Sequence, residues 1–272
     1  MTRLKQDDVV NIGTTLEAYN ADLVKMTGCS LREIAAYAVG KKASKDDNQK
    51  VKIAVIPMTC GQGIIQGFVE SVVSIISYLG FKAVITKSSD AGGVAEAVQN
   101  GSEILFMADD DRFVAINVRT GRVSDNGDAT GKGYVAGLVH MCHGLEGEKV
   151  LVIGAGPVGI SAALALVRSG AEVSVYDLDL SASQRLSKAF IKQGYDVTIE
   201  TELDSALNEH CILVDACPSG EFIMLRHISE DTKIAAPGIP LGVQAEGIAR
   251  LSNRLIHDPL QLGVATMLFD VL

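Results

Sequence analysis

The sequence predicts an α/β protein: N-terminal helices and a small α/β domain, followed by a Rossmann dinucleotide-binding domain. Three observations carry this. Strand-like and helix-like runs alternate from residue 51 onwards, which predicts parallel sheets covered by helices. The alternation comes in two series, and a length of 272 residues suits two domains. The second series opens on Gly154-Ala155-Gly156-Pro157-Val158-Gly159, a G-x-G-x-x-G set between a strand and a helix.

The elements follow in order. Residues 6–40 read as helices: Val9, Val10, Leu16, Tyr19, Leu23 and Val24 recur at roughly helical spacing, and the run Leu31 to Tyr37 ends at Gly40. Lys41 to Lys50 is a polar, charged linker. Val51 to Pro57 is a strand, Thr59 to Gly63 a glycine-containing loop, and Ile64 to Leu79 an apolar helix. Lys82–Thr86, Glu103–Ala108 and Phe113–Val118 read as further strands, with a helix over Ala91–Gln99. This first series predicts a small parallel sheet. Gly131 to His143 is a connecting helix. The second series has strands at Lys149–Ile153, Glu172–Tyr176, Val197–Glu200, Ile212–Ala216, Lys233–Ala236 and Arg254–His257. A closing helix covers Gly263 to Leu272, and its packing partner is left open by the sequence. The expected domains are residues 1–143 and 144–272.

Composition narrows the function classes. A 47% hydrophobic content supports a folded core. A net charge of −9 disfavours a phosphate backbone, so no nucleic-acid partner is expected. No stretch reaches the roughly 18 unbroken apolar residues of a membrane span, so no membrane association is expected. Residues 1–8 lack the apolar core of a signal peptide, which points to the cytoplasm. Five cysteines without a C-x-x-C spacing fit reduced thiols and no metal cluster.

The glycine pattern predicts a nucleotide site. Gly154 permits the tight turn, Gly156 admits a pyrophosphate close to the backbone, and Gly159 lets helix and strand pack. Amides at the helix start, from Val158 onwards after Pro157, would hold the phosphates. Asp177 ends the next strand 23 residues after Gly154, close to the spacing of about 20 expected for the ribose-binding acid. With no positive side chain beside it, Asp177 selects NAD over NADP. Asp179 lies beyond the strand end and is the weaker candidate. Two later strand ends, Asp215-Ala216-Cys217-Pro218 and Ala236-Pro237-Gly238, should border the second ribose and the nicotinamide.

In the first series the corresponding strand ends are Thr59-Cys60-Gly61-Gln62-Gly63 and Met107-Ala108-Asp109-Asp110-Asp111. The aspartate run is either a solvated loop or the seat of an amine substrate facing an inter-domain cleft. His140-Met141-Cys142-His143 reads as a helix surface rather than a metal site. Cys217 reads as a buried thiol rather than a nucleophile.

Together these residues resemble a known family. Pro57 to Ile65, Phe68, Glu70-Ser71, Met107 to Asp110, the glycine fingerprint, Pro237 to Pro240, and Pro259-Leu260 leading to Gly263 to Leu268 resemble the pyrrolysine synthases. The resemblance spans nearly the whole chain. It implies an NAD-dependent dehydrogenase acting on the isopeptide 3-methyl-D-ornithyl-N6-L-lysine. The terminal amine is oxidised, ammonia leaves, and a pyrroline ring closes. It implies substrate contacts at Leu4, Thr59, Gln62, Phe68, Ala108 and Asp109, with Leu4 on a segment closing over the substrate. It further implies a proton-transfer role for Asp109, a catalytic water near Asp258, and a homodimer. The chain has Cys60, Gln62 and Asp258 where the family pattern has Ser, Asn and Glu.

Two other readings compete. One is another two-domain NAD-dependent amino-acid or imine dehydrogenase, which would be expected to place a lysine or Lys–Asp pair in the cleft. The other is a non-catalytic NAD/NADH sensor, whose DNA-binding form would need a basic helix-turn-helix. The acidic N-terminal helices disfavour it.

Overall fold

A computed structural model describes residues 4–43 and 51–272. Most of the expected linker, residues 44–50, lies outside the described residues, as do residues 1–3. The chain forms two units, one built from residues 1–21, 30–129 and 259–272, the other from residues 22–29 and 130–258.

The chain begins with α1 (Gln6–Val9), α2 (Ile12–Thr27), whose residues 22–27 fall in the second unit, and α3 (Leu31–Ala38). Ser30 and Glu33 cap α3 reciprocally, each side chain accepting the other's backbone N–H. A five-stranded sheet follows, in the order β2-β1-β3-β4-β5. Its strands are β1 (Lys52–Ile56), β2 (Lys82–Ile85), β3 (Ile104–Ala108), β4 (Phe113–Asn117) and β5 (Val123–Asp125). The expectation of a parallel sheet holds only for the first three. β4 and β5 run antiparallel, because the four residues between β3 and β4 are too few for a parallel crossover.

Helix α5 (Asp90–Gln99) covers one face of this sheet, with Ala97 and Val94 on Ala54, Ile56 and Leu105. Helix α4 (Phe68–Tyr78) packs on β1 and β2. It starts four residues later than expected, since Gly67 adopts φ 85° and breaks the helical path before it. Phe68, at its first turn, packs edge-on against Phe113 at 5.2 Å between ring centroids.

The last helix, α11 (Gln261–Val271), belongs to this first unit. Residues 261–269 are buried all around it, and a helix apolar on every side needs neighbours on every side. Here α3, α4, β4 and β5 supply them. Asn117 Nδ2 donates to Val271 O at 2.9 Å, and Lys41 Nζ to Phe269 O at 2.6 Å. The expected grouping of this helix with the nucleotide-binding half is therefore replaced. The division falls after Ala129 rather than after residue 143, and α6 (Asn126–Cys142) begins five residues earlier than expected.

The second unit has a six-stranded, fully parallel sheet. Its strands are β6 (Lys149–Ile153), β7 (Glu172–Tyr176), β8 (Thr198–Ile199), β9 (Ile212–Asp215), β10 (Lys233–Ala236) and β11 (Leu255–His257). The order β11-β10-β9-β6-β7-β8 is the dinucleotide-binding order, with its reversal point between β6 and β9. Helices α7 (Pro157–Arg168), α8 (Leu180–Ile191), α9 (Leu203–Glu209) and α10 (Ala245–Leu251) connect the strands. Leu151, Ile153, Leu213, Ile234 and Ala236 form one core with Leu207, Ile223 and Leu251. Only β8 is markedly shorter than its expected span.

Candidate active site

The glycine turn lies at the carboxyl end of β6, beside the reversal point. Gly154 has φ 103°, and a Cβ there would sit 2.9 Å from Ala216 O on the neighbouring strand end. A Cβ on Gly159 would sit 1.8 Å from Gly154 O, so helix α7 approaches the turn as closely as only glycine allows. Gly156 is different: a Cβ there would meet nothing within 4 Å. The second glycine therefore keeps a space open that the protein leaves unfilled. Pro157 opens α7 and has no N–H to lose, while the amides of Val158 and Gly159 lie in the first turn, where an α-helix offers no intrahelical acceptor. This is the cradle a pyrophosphate requires.

Asp177 stands next to that cradle. Its Oδ2 accepts the Ala155 N–H at 2.7 Å and its Oδ1 accepts the Asp179 N–H at 2.8 Å. The carboxylate is half-buried and fixed to the turn it would serve. Asp179 caps α8 and pairs with Arg185 at 3.3 Å, so it is occupied by its own helix.

The other two strand ends meet at Asp215. Its carboxyl is fully buried. Oδ2 accepts from the Gly242 N–H at 2.9 Å, and Oδ1 accepts from the Cys217 thiol at 3.2 Å. Gly238 N donates to Asp215 O at 2.8 Å. Burial pushes the Asp215 pKa up, opposed by hydrogen bonds from Cys217 and Gly242 and by the nearby His257. Burial and the Asp215 carboxyl push the Cys217 thiol up to about 12. Cys217 is thus a protonated donor at neutral pH, and it is half-buried rather than the buried thiol expected. Ala216, Pro218 and Pro237 lie around this junction at the ends of β9 and β10, and the Ile239–Pro240 peptide beyond is cis.

Asp258 follows β11 and is 4% exposed. The Tyr134 hydroxyl donates to Asp258 O at 2.7 Å and accepts the Asp258 N–H at 2.9 Å. Burial and the Asp258 carboxyl hold the Tyr134 phenol well above its usual pKa. The Asp258 side chain is thus in contact with a buried phenol, in an enclosed setting rather than an exposed one.

In the first unit, β1 and β3 are adjacent, with Ile56 opposite Met107. Their ends bring Thr59–Gln62 beside Ala108–Asp110. Thr59 gives both its N–H and its hydroxyl to Asp90, the first residue of α5. Asp110 Oδ2 accepts the Gln62 N–H at 2.8 Å, and a Cβ on Gly61 would sit 2.0 Å from the same oxygen. Asp110 is therefore part of the loop's own construction. Asp109 Oδ1 accepts the Arg112 N–H at 2.7 Å and the Asp111 N–H at 2.9 Å. Those two amides hold its carboxyl below the usual aspartate range. Its Oδ2 has no hydrogen-bond partner among the described residues, and the side chain is exposed. Phe68 is half-buried behind this edge. Leu4 is half-buried, and the chain five residues after it meets α4, where Ser71 Oγ donates to Val9 O at 2.7 Å.

Asp90, Tyr134 and the burial of Asp215 were not foreseen. Asp90 had a signal: an acid at a helix start following a strand. Tyr134 had none, since its partner lies 124 residues away. Among the described residues no group of three or more His, Cys, Asp or Glu side chains could hold a metal ion. No helix there is long and apolar enough to cross a membrane.

The chain matches known proteins over its whole length. Residues 8–124 match the family described as "Pyrrolysine biosynthesis protein PylD, N-terminal domain". Residues 125–218 match "Alanine dehydrogenase/PNT, C-terminal domain". The pyrrolysine synthase of Methanosarcina barkeri is 32% identical over 272 residues, covering 100% of this chain and 98% of that one. That of Methanosarcina acetivorans is 30% identical over 273 residues, covering 100% of both. Among solved structures, quinate dehydrogenase from Corynebacterium glutamicum in complex with NAD aligns with TM-score 0.56 at 17% identity, over 82% of this chain and 94% of that one. Shikimate dehydrogenase from Aquifex aeolicus aligns with TM-score 0.56 at 14% identity, over 81% and 91%. These two share the fold. With sequence identity at that level across full-length relatives, and with a dehydrogenase fold in which the fingerprint turn is intact, the chain belongs to the pyrrolysine synthase family.

Proposed function

We propose that this protein oxidises the terminal amine of 3-methyl-D-ornithyl-N6-L-lysine with NAD, releasing ammonia and giving the pyrroline ring of pyrrolysine. The single observation that carries the reading is Asp109: an exposed carboxylate, held ionised by two backbone amides, with one oxygen left for a ligand. That is a receptor for an ammonium group. The names of the full-length relatives support pyrrolysine as the product, and the open space at Gly156 beside Asp177 supports NAD. A bound NAD supplies the hydride acceptor.

The residues divide the work. Thr59, held by Asp90, and Gln62, held through its backbone by Asp110, offer hydrogen-bonding groups for the isopeptide. Phe68 and Leu4 offer apolar surface, and Ala108 leaves room beside Asp109. A carboxylate with a lowered pKa binds a cation well and accepts a proton poorly. Asp109 is therefore assigned to holding and orienting the substrate amine rather than to removing its proton. Gly154 to Gly159, Asp177, Ala216, Cys217, Pro218, Pro237 and Gly238 are assigned to the dinucleotide. The reading places the protein in the cytoplasm as a homodimer, with a small-molecule partner and neither nucleic acid nor membrane.

The test follows NADH absorbance and product mass with purified protein, NAD and the isopeptide. NADH formation with a product lighter by ammonia and two hydrogens is expected. Asp109→Asn should lower turnover sharply while NAD binding persists. NAD binding without NADH formation would turn the assignment to another amine or imine dehydrogenase or to a sensor.

A further inference from the structure

Asp90 stands in a backbone conformation that few residues with a side chain adopt. Its φ is 52°, at the first residue of α5. A left-handed residue other than glycine persists where surrounding contacts hold it, and such positions gather at functional sites. Here the contacts are with the chain leaving β1. The Asp90 N–H donates to Pro57 O at 3.0 Å. Asp90 Oδ1 accepts the Thr59 N–H at 2.7 Å, and Oδ2 accepts the Thr59 hydroxyl. Behind them the first turn of α5 is packed tightly on β1: a Cβ on Gly93 would sit 2.7 Å from Ile56 Cγ2. All of these residues belong to the first unit.

The carboxylate decides which way the hydroxyl points. Hydrogen bonds from the Thr59 hydroxyl and N–H, with a smaller one from the Ser89 side chain, hold the Asp90 carboxyl below the usual aspartate range. It is therefore ionised at neutral pH. An ionised carboxylate only accepts, so the Thr59 hydroxyl donates to it. The single hydrogen of that hydroxyl is committed to Asp90, and Oγ1 keeps a lone pair for a ligand. A hydrogen bond to a charged partner also polarises the oxygen and strengthens it as an acceptor. Thr59 itself is exposed.

The neighbouring strand end carries a second acceptor. β1 and β3 are paired, with Ile56 opposite Met107. Thr59 lies three residues beyond Ile56, and Asp109 two beyond Met107. Oδ1 of Asp109 takes two backbone N–H groups, which leaves Oδ2 to face a ligand. The loops leaving these two strands thus present one oriented acceptor each, an arrangement suited to a ligand that brings N–H groups.

We propose that Asp90 is a positioning residue that makes Thr59 Oγ1 a fixed acceptor for an N–H group of the substrate, and so favours amine- and amide-bearing ligands over those that bring an acceptor to the same place. The proposal rests on the amine-dehydrogenase reading above.

The experiment measures kcat and KM for the isopeptide, with full-length protein and NAD, in wild type, Asp90→Asn, Thr59→Val and the double variant. Asparagine tolerates the left-handed region as aspartate does, so the fold should persist, and thermal unfolding checks it. In Asp90→Asn the amide oxygen can serve the Thr59 N–H, and the amide NH2 then faces Oγ1. That NH2 only donates, so the hydroxyl hydrogen turns outward and opposes a substrate N–H. KM should rise about tenfold, the size of one lost substrate hydrogen bond, with a smaller change in kcat. NAD binding measured without substrate should persist. Thr59→Val should raise KM by a similar factor. The double variant should match Thr59→Val alone, because Asp90 acts through that hydroxyl; a brace for the loop would instead multiply the two effects. Wild-type KM in Asp90→Asn or in Thr59→Val, or multiplied effects in the double variant, would overturn the proposal. Should Asp90→Asn fail to fold, Thr59→Val decides alone. If the wild type binds NAD but forms no NADH from the isopeptide, the amine reading itself fails and this proposal falls with it.

Discussion

The carboxyl of Asp215 accepts the backbone N–H of Gly242 at 2.9 Å, joining residues 27 positions apart. The same residue's carbonyl accepts from Gly238 at 2.8 Å. One buried aspartate thereby holds both ends of the loop after β10, the loop assigned to the nicotinamide.

This arrangement predicts a pH-dependent stability difference. Burial raises the Asp215 pKa, so the folded chain holds that proton more tightly than the unfolded chain does. The stabilisation is complete below the unfolded aspartate value of about 3.9 and is lost as pH rises through the higher folded value. Asp215→Asn does not titrate. Its Tm relative to wild type should therefore improve between acid and neutral pH. A difference that stays constant from pH 3.5 to 7 would remove this role. Asp215→Ala, which leaves the Gly242 amide unpaired, should cost about 1–3 kcal/mol in denaturant unfolding.

The cysteines should separate in reactivity. A thiol pushed up to about 12 is almost entirely protonated at pH 8, and Cys217 is also half-buried. Cys60 is exposed. Iodoacetamide at pH 8 should label Cys60 well before Cys217, read by peptide mass spectrometry. Equal labelling would show that Asp215 does not retain the thiol proton.

Two glycine variants should fail differently. Gly159→Ala places a methyl on Gly154 O and should destabilise the fold by about 3 kcal/mol, the upper part of the usual overpacking range. Gly156→Ala places its methyl in open space, so Tm should hardly move. NAD affinity should nevertheless fall at least tenfold, worth about 1.4 kcal/mol, because the methyl stands where the pyrophosphate must approach. Unchanged NAD affinity in Gly156→Ala would contradict the cradle.

Tyr134→Phe removes a hydroxyl that serves both backbone groups of Asp258. The loss of two buried partners should cost about 1–3 kcal/mol. Thermal unfolding checks it; a wild-type Tm would mean water replaces the hydroxyl.

Much of this protein was legible locally. The fingerprint turn, the strands at Lys149–Ile153, Glu172–Tyr176 and Lys233–Ala236, and the placement of Asp177 follow from short-range patterns, and the structure reproduces them. The first sheet reads as parallel in sequence because apolar runs look alike in either direction. The four residues between Ala108 and Phe113 held the contrary signal. The apolar run from Ile64 concealed a helix start at Phe68, which Gly67 decides through its backbone conformation. Among the three acids at residues 109–111, sequence could not rank the carboxylates. The tertiary contact of Asp110 with Gln62 commits one, and two amides take only one oxygen of Asp109, the other having no hydrogen-bond partner among the described residues.

What the sequence alone determined was the class: a two-part α/β chain with a dinucleotide turn, whose motif residues already mark the family. Those features rest on spacing along the chain, because periodicity and glycine geometry act over a few residues. Only the tertiary structure decided that the last helix returns to the first unit, that Tyr134 encloses Asp258, and that Asp90 holds the Thr59 hydroxyl. Each is a contact between residues far apart in sequence, set by which buried surface and which unpaired polar group the fold had left to satisfy.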